Sequence, residues 1–189
     1  MFLQEIFGVT DQLKRLAAWY ADEGFTVAIP ALFDRVQKNC VVPFDQSPRG
    51  IELMSSIARA DTLLDIEAVV KTLNKKHSKV VVMGFCLGGG GLAVHAAQTL
   101  SIAGAISFYG TRLESCLGKP LSTPVQFHLG SQDNHTSPEV ISSVREAFPN
   151  AEYHLYEAGH AFANDARASY VETEAELAHQ RSREFMLRL

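Results

Sequence analysis

With 189 residues, 47% of them hydrophobic and 20% charged, the chain is long enough for a sizeable core and is read as one domain over residues 1–189. A formal net charge of −4 argues against nucleic acid or an anionic membrane as the main partner, because both select a basic face. No apolar stretch approaches a membrane span, the start "MFLQEIFGVTDQLKR" lacks the basic lead of a secretory signal, and Cys40, Cys86 and Cys116 form neither a disulfide framework nor a paired zinc pattern, so the expected setting is the reducing cytoplasm.

Along the chain, strand-like and helix-like segments alternate. "TDQLKRLAAWYADEG" puts Leu13, Leu16, Ala17 and Tyr20 on one helical face, with Thr10 as N-cap and Gly24 as stop. "TVAIP" predicts a short buried strand. "DRVQKNCVVPFDQSPRG" is the one long irregular loop, a candidate lid or rim. "ADTLLDIEAVVKTLNKK" predicts a helix with acids early and lysines late, as the helix dipole prefers. "KVVVM" is a β-branched run typical of a strand buried on both faces. "LAVHAAQTL" predicts a helix, and "IAGAISFYG" and "PVQFHLG" two strands. "SPEVISSVREAF" is a helix capped by Ser137 with Pro138 in its first turn. "AEYHLYE" is a last strand and "YVETEAELAHQRSREFMLRL" a closing helix. This alternation predicts an α/β fold, a mostly parallel sheet with helices on both faces.

In such a sheet, ligands bind at the carboxyl ends of the strands. After "VVVM" comes "GFCLGGGG". Its Gly-x-Cys-x-Gly core has the layout of a nucleophile elbow with Cys86 at the corner, although a buried cysteine at a tight turn is also common as mere packing. After "PVQFHLG" comes Asp133, and after "AEYHLYE" comes His160. Nucleophile, acid, histidine is the chain order of α/β-hydrolases. His160 would take the thiol proton and return it to the leaving group, and Asp133 would hold the imidazole. The backbone N–H groups of Leu87 and Ile6 would donate to the oxyanion. Taken singly, Asp133 also fits a turn and His160 a loop. His135 is expected at the rim. His77, His95, His128, His154 and His179 are given no role, and Cys40 and Cys116 are read as structural.

The sequence resembles the dienelactone hydrolase family of α/β-hydrolases (carboxymethylenebutenolidases). The resemblance runs nearly end to end through "QEIFGVT", "IPALFDR", "DIEAVV", "GFCLGGG", "SFYG", "GSQD", "AGHAF" and "SYVETEAELAHQRSREF". It implies the α/β-hydrolase fold and a triad of Cys86, Asp133 and His160. It also implies that Glu5 of "QEIFG" lies near the nucleophile and controls its ionisation, and that Tyr109 of "SFYG" lines the pocket. The chain departs from the family in two ways. Met1 stands only four residues before Glu5, so the strands that usually open the fold are expected to be absent from this chain, either because the protein is short or because the chain starts late, and a sheet edge is expected to be exposed. An arginine that holds a substrate carboxylate in members acting on the anionic dienelactone is replaced here by Asn164. Arg49 of "SPRG" aligns with a second such arginine, and Arg35 and Arg167 are candidates to compensate.

The expected function is hydrolysis of a small ester or lactone through a thioester acyl-enzyme, with no cofactor and no metal. The expected partner is a small-molecule substrate, not nucleic acid or membrane, for a monomer or weak homodimer. The alternatives are a thioesterase or general carboxylesterase on the same triad, a non-catalytic binding protein of the same fold, or a redox-sensing thiol, which would want a resolving cysteine.

Overall fold

The structure, a computed structural model, describes residues 1–86 and 90–189. Five strands form one parallel sheet: β1 (Phe2–Leu3), β2 (Val81–Phe85), β3 (Gly104–Phe108), β4 (Val125–Gly130) and β5 (Glu152–Tyr156), in that spatial order. Six α-helices accompany it: α1 (Asp11–Asp22), α2 (Ser47–Ser56), α3 (Arg59–Asn74), α4 (Cys86–Thr99), α5 (Pro138–Ala147) and α6 (Glu172–Arg188).

Alternation along each strand sorts the core into two layers. Leu3, Val82, Ala105 and Phe127 point to one face, where Ile66 and Val70 of α3, Val94 and Ala97 of α4, and Val144 of α5 cover them. Phe2, Met83, Phe85, Ile106 and Phe108 point to the other, against Leu13 and Tyr20 of α1 and Ala175, Ala178 and Phe185 of α6. Helices therefore cover both faces, as the continuous apolar run of β2 requires. The predicted caps form: Leu13 N–H donates to Thr10 Oγ1 at 3.2 Å and Val140 N–H to Ser137 Oγ at 3.4 Å.

Three segments differ from their sequence reading. "TVAIP" is not a strand; it runs beside the two-residue β1 and meets it through one bond, Phe2 N–H to Ala28 C=O at 2.8 Å. So short a neighbour offers too little ladder for a strand to form. The long loop ends earlier than expected because α2 starts at Ser47, with Pro48 in its first turn, where a missing N–H costs nothing. Helix α4 starts at Cys86, well ahead of "LAVHAAQTL": glycine's low helix propensity conceals the first turns, which close packing against the end of β3 favours.

Close packing accounts for three of the glycines. A Cβ on Gly90 would strike the backbone of Gly110 and Thr111, and a Cβ on Gly110 would strike Gly90, so α4 lies directly against the end of β3. Gly50 lets α2 sit on the carbonyl of Ile6 in the same way. Ile6, Phe7, Phe33, Val42, Leu53 and Ile57 form a third, smaller core that fixes α2 and the preceding loop over the carboxyl end of the sheet.

Candidate active site

Strand β2 delivers Cys86 to a corner. Phe85 is extended, Cys86 has φ of 55°, and α4 begins there. A left-handed conformation is strained for any residue but glycine, and such strain concentrates at functional sites. Tyr109 (φ 36°) and Ala161 (φ 62°) share it, and they flank the same spot from the ends of β3 and β5.

His160 Nε2 lies 3.0 Å from Cys86 Sγ, and His160 Nδ1 lies 2.8 Å from Asp133 Oδ2. The Asp133 side chain is 3% exposed, and its other oxygen accepts from the backbone N–H of His135 at 2.8 Å. Two acceptances leave that carboxylate fixed in plane. It orients the imidazole so that Nδ1 donates and Nε2 is free to accept from the thiol. The ring of His160 is further held between Tyr109, with centroids 5.3 Å apart, and His135, at 4.4 Å.

Glu5 is buried beside this array. Tyr109 Oη donates to Glu5 Oε1 at 2.9 Å and Asn164 Nδ2 donates to the same oxygen at 3.3 Å. Burial raises the pKa of Glu5, and the bonds from Tyr109 and Asn164 oppose that rise. Burial and the neighbouring carboxylate push the Tyr109 phenol well above its ordinary value, so it stays a donor. Glu5, Ile6, Cys86, His135, His160 and Arg167 all line one cavity of about 320 Å³, within the range of small-molecule sites. A larger cavity of about 430 Å³ lies by Met1 and Lys79 at the amino ends of the strands and contains none of these residues.

The remaining sequence-predicted residues fall as follows. Leu87 lies outside the described residues. Asn164 is buried, and its amide turns to Glu5, while its Oδ1 accepts from Ala166 N–H at 3.1 Å. Arg49 is not brought to the cavity. It lies two residues past Ser47, on the outer side of α2, and binds Glu52 at 2.8 Å and Gln37 at 3.2 Å. Arg35 is also remote, paired with Asp65 at 2.6 Å on α3. Arg167 does reach the cavity wall, with its guanidinium 5.0 Å from the Phe7 centroid and 5.7 Å from that of Phe44. Ile51, Thr111 and Arg112 also line the cavity and were missed in the sequence. Ile51 follows Ser47 by one helical turn, a signal that the loop-like "SPRG" conceals.

The other histidines and cysteines have structural surroundings. His128 Nδ1 is 2.7 Å from Tyr156 Oη, its Nε2 is 2.9 Å from Gln126 Oε1, and burial holds its pKa well below the usual histidine value. Cys116 is buried, with its thiol donating to the Gly91 carbonyl at 3.3 Å. None of the three cysteines forms a disulfide.

The model of the Dienelactone hydrolase family matches residues 1–189. The chain belongs to that family. The carboxymethylenebutenolidase of Pseudomonas putida is 31% identical over 195 aligned residues, covering 97% of this chain and 82% of that protein. The carboxymethylenebutenolidase of Pseudomonas sp. strain P51 is 30% identical over 202, covering 100% and 84%. The crystal structure of a Klebsiella pneumoniae protein assigned as a dienelactone hydrolase superposes with a TM-score of 0.85 at 27% identity, over 100% of this chain and 85% of that one. The dienelactone hydrolase-like promiscuous phosphotriesterase P91, from metagenomic libraries, shares the fold, with a TM-score of 0.78 at 20% identity over 98% of this chain and 83% of that one. The protein is thus an α/β-hydrolase-fold enzyme, a hydrolase of esters or lactones. Among the described residues, no helix is long and apolar enough to cross a membrane.

Proposed function

We propose that this hydrolase cleaves a small ester or lactone by nucleophilic catalysis at Cys86. The observation that carries the reading is the continuous chain Cys86 Sγ, His160, Asp133, with links of 3.0 and 2.8 Å. His160 Nε2 takes the thiol proton as sulfur attacks the substrate carbonyl carbon. Cys86 heads α4, so the positive end of the helix dipole favours the thiolate. The carbonyl electron pair moves to oxygen, where the backbone N–H groups of Ile6 and Leu87 are the proposed donors. Collapse of the tetrahedral intermediate breaks the C–O bond, and His160 gives its proton to the departing alkoxide. In a lactone that alkoxide stays tethered to the acyl group. Water, deprotonated by His160, then cleaves the thioester, and the proton returns to sulfur as the carboxylate leaves. Asp133 supports the imidazolium throughout. Glu5, buried and held by Tyr109 and Asn164, is a second carboxylate able to bias the ionisation of the thiol.

A second reading keeps this chemistry for uncharged esters or thioesters. It is favoured by Asn164, whose amide is committed to Glu5. The test is intact-protein mass spectrometry after mixing with p-nitrophenyl acetate. Wild type should gain an acetyl adduct and continue to release nitrophenolate, while Cys86→Ala should do neither. An adduct on Cys86→Ala, or turnover by it at the wild-type rate, would overturn the assignment.

A further inference from the structure

A second cavity, about 270 Å³, adjoins the first, and Arg112 lines both. Two walls run past the pair. On α2, Ser47 and Ile51 line the first cavity and Met54 and Ser55 the second. These positions are spaced i, i+4, i+7 and i+8, which is one face of a helix. Opposite them, Thr111, Arg112 and Glu114 line the first, and Arg112 and Ser115 the second. From Ser47 to Ser55 the helix advances about 12 Å.

The buried floor of the second cavity is mostly apolar, with Thr62 as its polar member. Ile57 and Leu92 are buried there, and Met54 is half-buried. Ile51 is 48% exposed on the wall between the triad and this floor. Neither a packed core nor attack on the smallest esters calls for such a continuation.

We propose that the two cavities are one binding trough, and that the preferred ester carries an unbranched apolar arm, hexanoyl to octanoyl in length, lying along α2 past Arg112. This rests on the reading of Cys86 as the nucleophile. Arg112 is the junction. It is exposed and lines both cavities, so its aliphatic stem flanks the arm while the guanidinium stays in water. Arg59, held by Ser115 Oγ at 3.1 Å, closes the far end with a polar group and limits the length of the arm.

The experiment is a series of p-nitrophenyl esters from acetate to octanoate, run on wild type and on Ser55→Trp and Met54→Trp. In wild type, kcat/KM should climb with chain length by up to about fourfold per added methylene. In the tryptophan variants, which fill the second cavity, the octanoate-to-acetate ratio of kcat/KM should fall by at least tenfold in one or both. The ratio cancels any general loss of folded enzyme. A flat or falling series in wild type, or ratios unchanged in both variants, would overturn the trough while acetate turnover still upholds the hydrolase reading. Turnover of no ester at any length would overturn that reading, and the trough with it.

Discussion

Burying a carboxylate lowers stability unless its charge is matched, and Glu5 is only partly matched, by two donors on one oxygen and by the more distant charges of His160 and Arg167. Its raised pKa means that the native state holds the proton more tightly than the unfolded chain. Stability from this group is therefore present below the ordinary carboxylate pKa and is lost as pH rises through the folded value. Glu5→Gln keeps an acceptor for Tyr109 without the charge. At pH 8 it should melt at a higher temperature than wild type, yet lose ester turnover. A lower melting point would show that the carboxylate is not the costly form. Arg167 bears on substrate charge. Its guanidinium rests on Phe7 and Phe44 and its charge also acts on the buried Glu5, but it forms no close ion pair among the described residues and, from the cavity wall, can meet an anion on the substrate. Arg167→Ala should raise KM for a carboxylate-bearing ester by about ten- to a hundredfold, the worth of one charge-assisted bond, and leave KM for p-nitrophenyl acetate nearly unmoved. Equal effects on both substrates would assign Arg167 to packing.

Among the elements, α4 and α2 do most to shape the cleft. Gly90 and Gly91 are neighbours in α4 with opposite tolerances. A Cβ on Gly90 strikes Gly110, whereas one on Gly91 meets its nearest atom, the Arg112 carbonyl oxygen, at 3.5 Å. Gly90→Ala should cost about 1–3 kcal/mol through overpacking and displace Cys86 with the helix it heads. Gly91→Ala should fold normally and gain up to about 1 kcal/mol of helix propensity. Urea melts of both variants test this, and equal midpoints would refute it. The same elements mark what could be read in advance. The approach of Cys86, Asp133 and His160 was legible because each follows the carboxyl end of a strand, where α/β sheets place ligands. Ile51 and Arg112 were not. The first lies in a helix disguised as loop by "SPRG", and the second in a turn whose aim is set by packing between α4 and β3. "TVAIP" misled for a physical reason: its β-branched residues promise a strand, but a strand exists only with a partner long enough to pair.

Across the whole molecule, the sheet's second face buries histidines that cannot ionise freely. Burial holds His179 down to about 4, and His128 also falls well below the ordinary value. A histidine with a lowered folded pKa leaves the unfolded chain with more bound protons at acid pH, so stability is intact above about 6.5 and declines as pH falls from there toward the folded value. For His179 that window runs to about 4 and corresponds to about 3 kcal/mol. Melting temperature should drop steeply between pH 6.5 and 4. His179→Gln, which can still face the Tyr20 hydroxyl now 3.0 Å from His179 Nδ1, should flatten that drop. Parallel curves for the two proteins would exclude His179 as the cause.

The strand order has a consequence for the growing chain. Spatial order and chain order coincide from β1 to β5, so each strand can dock on one already made as the chain leaves the ribosome. Cys86 is in position once β2, β3 and α4 exist, but Asp133 and His160 arrive with the following two strands, and α6 seals the layer behind them last. A nascent chain that stops short of His160 therefore carries the sulfur without its proposed proton acceptor. On the proposed triad, the thiol is activated only once His160 has been made and docked, so the half-made protein carries no poised nucleophile.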